Sequence, residues 1–195
     1  TVRTHTYFIS DVHLGAPSVR ESQERERALV SFLKHIETDC KQLFIVGDLF
    51  DYWFEYKHVV PRGHTRVLGQ LALMVDAGLK LDIFVGNHDL WMGNYLEEEL
   101  GATVHHGPLK WSPNDGTTSF YLAHGDGIGP GDRKYKALKK LFTNPIAIWA
   151  YKRLHPNFGV GFAARMSRTS RNSQSDDDHA FKGEKERQLV HSKTV

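Results

Sequence analysis

The stretch FVGNHDLW, residues 84–91, contains the pattern that decides the fold. Its first two residues end an apolar run of the kind found in buried strands. A glycine follows, which allows the backbone to turn sharply. Directly after the glycine come an amide, an imidazole and a carboxylate, from Asn87, His88 and Asp89. The stretch therefore predicts a buried strand whose carboxyl end presents polar side chains.

Two earlier apolar runs end in the same way. Residues 7–10 lead into Asp11 and His13, and residues 43–46 lead into Asp48. In open α/β sheets, ligands bind at the carboxyl ends of the strands. We therefore expect the polar side chains that follow these runs to lie close together at one edge of a sheet.

Two amphipathic helices are predicted between these strands. Apolar residues recur at helical spacing over residues 22–38 and again over residues 67–75, and Gly78 ends the second helix. A third, short helix is predicted from the cap residue Asn94 to Gly101. The resulting order β-α-β-α-β indicates a parallel sheet with helices on its faces.

Residues 103–123 have a different pattern. The alternating segments LKW and SFYLA flank PNDG, which predicts a hairpin with an Asp-Gly turn. The second strand of this hairpin leads into His124, a glycine and Asp126. A fourth strand end therefore carries polar side chains.

The polar residues at these strand ends are of the types that bind divalent metal ions. Carboxylate, amide and imidazole ligands suit Mn, Fe or Zn better than they suit Ca alone. A single Asp after a strand is usually a helix cap or a turn residue, but four such clusters favour a metal site. The carboxylate of Asp48 has two oxygens and can bridge two ions. The candidate residues are Asp11, His13, Asp48, Asn87, His88, Asp89 and His124.

Composition limits the class of protein. The chain has 195 residues, a formal net charge of +2 and a single cysteine, Cys40. One cysteine excludes an internal disulfide framework, and its polar neighbours favour a structural role over a nucleophilic one. No apolar run approaches the ~20 residues that span a bilayer, and the N-terminus has no signal-peptide pattern. We expect a cytoplasmic protein, with any membrane contact peripheral.

The motifs DVH, GDLFD, GNHD and HGD, in this order, resemble those of the calcineurin-like metallophosphoesterases. The resemblance implies an α/β fold, a β-sandwich of mixed sheets flanked by helices, with two metal ions at one edge. Such ions activate water and stabilise an in-line displacement at phosphorus. His88 is implied to contact the phosphate or the leaving group, and Asp89 to orient His88. The implied ligands are Asp11, His13 and Asp48 for one ion, and Asp48, Asn87 and His124 for the other.

A segment of short helices is predicted over residues 131–171, after a core of residues 1–130 and before a polar linker and the start of a C-terminal helix over residues 172–195. Residues 133–171 contain ten Lys and Arg, no Asp or Glu, and many large apolar side chains. This pattern is typical of helices that lie on anionic membrane surfaces. A helical subdomain with a solvated basic face is the alternative, and nucleic-acid binding ranks below both.

Within this segment, GPGDRKY and LHPNFG resemble the UDP-2,3-diacylglucosamine diphosphatases of lipid A synthesis. The resemblance implies a peripheral enzyme at the inner face of the cytoplasmic membrane, with the helical segment as a lid over the acyl chains. Such an enzyme cleaves the pyrophosphate of this lipid-linked nucleotide sugar to give UMP and 2,3-diacylglucosamine 1-phosphate. The implied cofactor is Mn²⁺, with Fe, Zn or Mg as alternatives. The implied substrate contacts are Asp132, Tyr135 and Arg171.

Two departures from these families leave other functions open. The chain reads GNHD where many members of the diphosphatase group read GNRD. It also contains no later GHxH motif, from which the wider family supplies one histidine to each ion. One interpretation is that the chain is a fragment without the C-terminal strands. A phosphodiesterase or phosphatase for another nucleotide or lipid phosphoester is the alternative function, and a non-enzymatic protein that retains the fold is the third. The pattern makes no prediction of oligomeric state.

Overall fold

The computed structural model describes residues 3–113, 118–126 and 133–161. The chain divides into two compact units, Thr1–His124 and Gly125–Val195. Among these described residues, the first unit contains both sheets and three helices, and the second contains two further helices.

The first unit is built on a four-stranded parallel sheet of order β1-β2-β3-β4. This confirms the parallel sheet that the three apolar runs predict. The fourth strand was not predicted, because three residues are too few to form a recognisable apolar run. The strands are β1 His5–Ile9, β2 Cys40–Val46, β3 Lys80–Phe84 and β4 Thr103–His105.

Three helices connect these strands, as predicted: α1 Val19–Ile36, α2 Thr65–Asp76 and α3 Tyr95–Leu100. The first helix begins earlier than its apolar pattern suggests, because the Ser18 side chain accepts a hydrogen bond from the backbone N–H of Glu21. Such a cap satisfies a donor that the first helical turn leaves without a partner. Asn94 precedes α3 as predicted, but its side chain makes no cap hydrogen bond.

The parallel sheet is covered differently on its two faces. Leu43 and Ile45 of β2 belong to the main apolar core, together with Leu33 of α1 and Leu71 of α2. Alternate residues of a strand point to opposite faces. Phe44, which lies between Leu43 and Ile45, therefore points to the other side of the sheet.

That other side carries a two-stranded antiparallel sheet, with β5 Leu109–Trp111 paired to β6 Phe120–Leu122. Trp111 packs edge-on against Phe44 with 5.2 Å between ring centroids, and Phe8 stacks on Phe44 at 5.1 Å. Aromatic pairs at such distances stabilise beyond their burial. The predicted hairpin is confirmed, while the residues of its turn, 114–117, lie outside the described ones. Together the two sheets and their helices confirm the predicted mixed α/β class.

The second unit contains α4 Arg133–Phe142 and α5 Pro145–Tyr151. The Asn144 side chain caps α5 by accepting hydrogen bonds from two backbone N–H groups, and a proline is well suited to the first helical position. Within the described residues, no helix combines the length and the apolar character needed to cross a membrane. The predicted linker and C-terminal helix, residues 172–195, are not among the described residues.

Candidate metal centre

Asp11 and His13 follow β1 and both have left-handed backbones, with φ of 55° and 48°. Their N–H groups donate to the segment after β2, from Asp11 to the Gly47 carbonyl at 3.2 Å and from His13 to the Asp48 carbonyl at 3.0 Å. Left-handed backbone is strained in residues other than glycine and is often found at functional sites. The His13 Nε2 atom lies 3.9 Å from Asp11 Oδ1 and 3.7 Å from Asp48 Oδ2.

Asp48 is the central residue of the cluster. It is buried, it also has a left-handed backbone with φ of 53°, and its Oδ1 accepts the backbone N–H of His88 at 2.9 Å. Its Oδ2 lies 3.7 Å from His13 Nε2 and 3.4 Å from His124 Nε2. One oxygen of Asp48 therefore lies between two imidazoles that come from different parts of the chain.

Two glycines allow this close packing. A Cβ atom at position 86 would lie 2.1 Å from Asp48 Oδ1 and 2.5 Å from the Asp48 backbone nitrogen. A Cβ atom at position 47 would lie 2.3 Å from His124 Nδ1. Real Cβ contacts are never this short, so both positions require glycine for the observed arrangement.

His124 and Asn87 form the other side of the cluster. His124 Nδ1 lies 3.0 Å from the Val46 carbonyl, which can only accept, so Nδ1 carries the proton. Nε2 of the neutral ring is then an acceptor, yet it faces Asn87 Oδ1 at 3.0 Å and Asp48 Oδ2 at 3.4 Å. When the ring is neutral, three acceptor atoms therefore face one another, an arrangement that suits a cation between them.

The donor atoms have the spacing that a shared ion requires. Two atoms that each bind one ion at about 2.0–2.2 Å lie roughly 3–4 Å apart. The separations between His13, Asp11, Asp48 and His124 are 3.4–3.9 Å, which is long for hydrogen bonds. The donor atoms of Asp11, His13 and Asp48 all lie within 4.8 Å of one another. The residues present therefore fit divalent metal ions, as the family resemblance implies.

Asp51 belongs to this cluster, although sequence reasoning gave it no role. It is buried, and its Oδ1 lies 3.5 Å from His88 Nδ1 and 3.8 Å from His13 Nδ1. Its backbone carbonyl also lies 3.2 Å from His88 Nδ1. The signal was present in GDLFD, where this second carboxylate comes three residues after Asp48.

The hydrogen bonds of Asp89 go to the backbone, and none of those described reaches the His88 side chain with which a pairing was predicted. Its side chain is fully buried and accepts backbone N–H groups, from Gly86 to Oδ1 at 2.7 Å and from Phe50 to Oδ2 at 3.3 Å. Asp89 therefore joins the turn after β3 to the turn after β2. Burial and the nearby Asp48 charge raise the pKa of Asp89 to about 7, against the opposing effect of these backbone hydrogen bonds.

The electrostatics of the cluster favour ligands that are deprotonated. Burial is the main cause that lowers the pKa of His13, so its ring tends to be neutral. Burial alone would raise the pKa of Asp48, but in the metal-free protein a protonated His124 that donates to it, the His88 backbone N–H and the positive charge of both histidines lower the pKa overall. A neutral imidazole and an ionised carboxylate are the states that bind metal.

The predicted substrate contacts are not part of the described geometry. Asp132 and Arg171 lie outside the described residues. Tyr135 belongs to α4, but its side chain is not described.

The sequence profile of the calcineurin-like phosphoesterases matches residues 4–163. The chain belongs to the calcineurin-like phosphoesterase family. The family match confirms the resemblance of the four motifs. Membership of this metallophosphoesterase family implies divalent metal ions, and the Asp and His residues described above are able to hold them.

Proteins similar to this calcineurin-like phosphoesterase include two named UDP-2,3-diacylglucosamine hydrolase. The one from Porphyromonas gingivalis is 43% identical over 175 residues, 88% of this chain and 65% of that protein. The one from Edwardsiella ictaluri is 28% identical over 178 residues, 87% of this chain and 63% of that protein. The chain thus spans a little under two thirds of each relative. A protein of unknown function from Aquifex aeolicus matches 72% of this chain and 69% of its own, with 16% identity and a TM-score of 0.45, which supports no inference.

Proposed function

We propose that the protein is a hydrolase that uses two divalent metal ions to cleave the pyrophosphate of UDP-2,3-diacylglucosamine, giving UMP and 2,3-diacylglucosamine 1-phosphate. The main support is the position of Asp48 Oδ2, which lies 3.7 Å from His13 Nε2 and 3.4 Å from His124 Nε2. A carboxylate oxygen between two sets of nitrogen and oxygen donors is suited to bridging two ions. The names of the relatives from Porphyromonas gingivalis and Edwardsiella ictaluri support the choice of substrate.

The proposed ligands form two groups that share Asp48. When bound, the ions supply Lewis acidity toward phosphate oxygens and an activated water at neutral pH. Manganese is the proposed metal, because the mixed carboxylate, amide and imidazole set suits borderline divalent ions; Fe, Zn and Mg are alternatives. The groups are Asp11, His13 and Asp48 for one ion and Asp48, Asn87 and His124 for the other.

His88 is the proposed general acid. Its Nδ1 lies 3.2 Å from the Asp51 carbonyl, so Nδ1 carries a proton and Nε2 is the atom available to the substrate. The carboxylate of Asp51 lies 3.5 Å from the same nitrogen and helps to orient the ring. A protonated His88 would donate a hydrogen bond or a proton to the leaving phosphate, and no covalent intermediate with the protein is required.

The second unit is the proposed lid and membrane contact. On α5, Ile146 is 75% exposed and Trp149 is 56% exposed, and the guanidinium of Arg153 lies 3.5 Å from the centre of the Trp149 ring. Exposed apolar side chains beside cations suit an anionic lipid surface. We assign the protein to the inner face of the cytoplasmic membrane as a peripheral enzyme, with substrate contacts from Asp132, Tyr135 and Arg171.

Hydrolysis of matched substrates tests this proposal. The protein with Mn²⁺ is given UDP-2,3-diacylglucosamine or the same nucleotide sugar without acyl chains, and release of UMP is measured. We expect turnover of the acylated substrate and little of the other, with both lost in EDTA. Comparable turnover of both would instead support a phosphodiesterase or phosphatase for soluble substrates. The motif GNHD, where many diphosphatases have GNRD, is the sequence feature that favours this alternative. Binding without turnover of either would support a non-enzymatic role.

A further inference from the structure

The loop that carries Asp11 and His13 adopts a conformation that needs external support. Both residues have a left-handed backbone, with φ of 55° and 48°, and neither is a glycine. Such backbone persists only where the surrounding structure determines it from several sides. We refer to residues 11–17, between β1 and the cap of α1, as the ligand loop.

The segment after β2 supports the N–H groups of the ligand loop. Asp11 and His13 donate to the carbonyls of Gly47 and Asp48, and Leu14 donates to Leu49 at 3.0 Å. These bonds fix one side of the loop backbone. The N–H of Asp51 also donates to the Leu14 carbonyl at 2.9 Å, which leaves other carbonyls of the loop to be satisfied by further donors.

Arg25 of α1 supplies those donors. Its Nη1 donates to the carbonyls of Val12 and His13, both at 2.9 Å, and its Nη2 donates to the carbonyl of Ala16 at 3.1 Å. Three residues earlier on the same helix, the buried Ser22 hydroxyl accepts the N–H of Gly15 at 2.7 Å. One face of α1 therefore contacts most residues of the ligand loop.

Arg25 has no ion pair with a carboxylate among the residues that the structure describes. By contrast, Arg20 on the same helix pairs with Glu24 at 3.0 Å and is largely exposed. A half-buried guanidinium whose described partners are three backbone carbonyls is placed to shape a loop rather than to balance a charge.

We propose that Arg25 is a positioning residue, which holds the Asp11 and His13 backbones in their left-handed conformations so that both side chains face Asp48. The inference rests on the metal centre proposed above. The planar guanidinium presents its N–H donors in a rigid fork, which the single ammonium of lysine cannot reproduce. His124 and Asn87 come from other segments, and Asp11 and His13 belong to only one of the two ligand groups, so the effect of Arg25 should fall mainly on the ion bound by Asp11, His13 and Asp48.

Calorimetric titration of the metal-free protein with Mn²⁺ tests this role, with the melting temperature of the metal-free form as a second readout. We expect Arg25→Lys to weaken the binding of one of the two ions by about 10–100-fold. This is the usual loss when a residue that orients a metal ligand is changed. The other ion should bind as in the wild type. Arg20→Lys, on the same helix, is the matched control and should change neither affinity.

Two reference variants identify the ions and separate the possible failures. Asp11→Asn should weaken the binding of the same ion as Arg25→Lys, and Asn87→Ala should weaken the binding of the other. A wild-type protein that binds no Mn²⁺ would overturn the metal centre itself. If the wild type and the reference variants behave as expected while Arg25→Lys binds both ions normally, only the role of Arg25 is overturned. If Arg25→Lys weakens the binding of both ions equally and lowers the melting temperature, Arg25 has a general structural role. That result would also overturn its proposed role as a positioning residue.

Discussion

The backbone N–H of His88 donates to Oδ1 of Asp48 at 2.9 Å, so the two oxygens of this buried carboxylate have different environments. Oδ1 is held by the turn after β3, whereas Oδ2 faces the imidazoles of His13 and His124. The hydrogen bond restrains rotation of the carboxylate. It leaves Oδ2 as the oxygen that would be shared if two ions were bound.

Asp48→Asn should therefore remove more metal than any other single change in the cluster. The amide keeps the shape but brings an uncharged group to the position shared by both ions. We expect both Mn²⁺ ions to be lost on dialysis. Activity should fall by more than about 100-fold, which is the upper range for residues that only orient a metal ligand. Elemental analysis measures the metal, with Asp11→Asn as the control expected to lose one ion. Full occupancy in Asp48→Asn would rule out the bridging position.

Asp51→Asn should lower turnover without removing metal. Asp51 Oδ1 lies 3.5 Å from His88 Nδ1, and loss of this carboxylate removes a group that orients the imidazole toward the substrate. General acid groups contribute about 10²–10⁴-fold, so we expect kcat to fall by roughly 10²-fold for both Asp51→Asn and His88→Asn. The double variant should be little worse than either, since residues acting as a unit are not additive.

The exposed Asp76, on the last turn of α2, is the matched control, and Asp76→Asn should leave kcat unchanged. If Asp51→Asn empties a metal position, Asp51 is a ligand. The donor atoms of His13, Asp51 and His88 also lie within 4.8 Å of one another, so elemental analysis of Asp51→Asn is decisive.

Gly86→Ala should destabilise the protein through Asp48. The added methyl would lie 2.1 Å from Asp48 Oδ1 and 2.5 Å from its backbone nitrogen, and the backbone has little room to move. Overpacking of this kind costs about 1–3 kcal/mol. Each kcal/mol lowers the melting temperature by roughly 2–4 °C for a chain of this size. Gly107→Ala, where a Cβ meets nothing within 4 Å, is the control, and equal melting temperatures for both variants would contradict the packing argument.

Stability of the metal-free protein should depend on pH through Asp89. Its pKa is raised from an ordinary value of 3.8 to about 7 in the folded state. Between these values the folded protein holds a proton that the unfolded chain has released, so unfolding becomes easier as pH rises. The contribution is complete below about pH 4 and is lost as pH rises through about 7.

Urea unfolding in EDTA at several pH values measures this effect. The free energy of unfolding of the wild type should fall relative to that of Asp89→Asn as pH rises from 4 to 8, because asparagine does not titrate. Leu73→Ser, which changes an exposed side chain that has no ionisable group, should show no such trend. A difference that stays constant with pH would mean that Asp89 does not change its protonation in this range.

Membrane binding by the second unit should have a part that is sensitive to salt and a part that is not. Each Lys or Arg near an anionic surface contributes roughly 1 kcal/mol and is screened by salt. Lys140→Glu with Lys152→Glu should therefore weaken sedimentation with anionic vesicles mainly at low salt. Ile146→Ser with Trp149→Ser should weaken it at every salt concentration, because apolar burial is not screened.

Leu73 on α2 is 66% exposed and serves as the apolar control. Leu73→Ser should leave vesicle binding unchanged. If the variants of the second unit also bind vesicles like the wild type, the helices are a structural subdomain without a membrane role.

Much of the fold was predictable because its elements have strong periodicity. The runs that became β1, β2 and β3 are continuous and apolar, and α1 and α2 have clear helical spacing. β4 was missed because its three residues are recognisable only by their pairing with β3. The earlier start of α1 depends on the cap by Ser18, a local hydrogen bond rather than an apolar pattern.

The residues of the site were predictable as a group, but their individual contacts were not. Strand ends converge by topology, so Asp11, Asp48 and His124 were expected together. The choice between Asp51 and Asp89 as the partner of His88 depends on tertiary geometry. Asp89 turns inward to accept two backbone N–H groups, and this leaves Asp51 beside the imidazole.

Gly47 and His124 are separated by most of the first unit in sequence, yet a Cβ at position 47 would lie 2.3 Å from the imidazole of His124. Position 47 can therefore not acquire a side chain independently of His124 during evolution. Any side chain at position 47 would displace His124, so in a descendant it is acceptable only after the histidine has been lost or moved. Among relatives, a side chain at position 47 should therefore occur only where this histidine is absent or displaced, and such a protein would lack the ligand that we propose for His124.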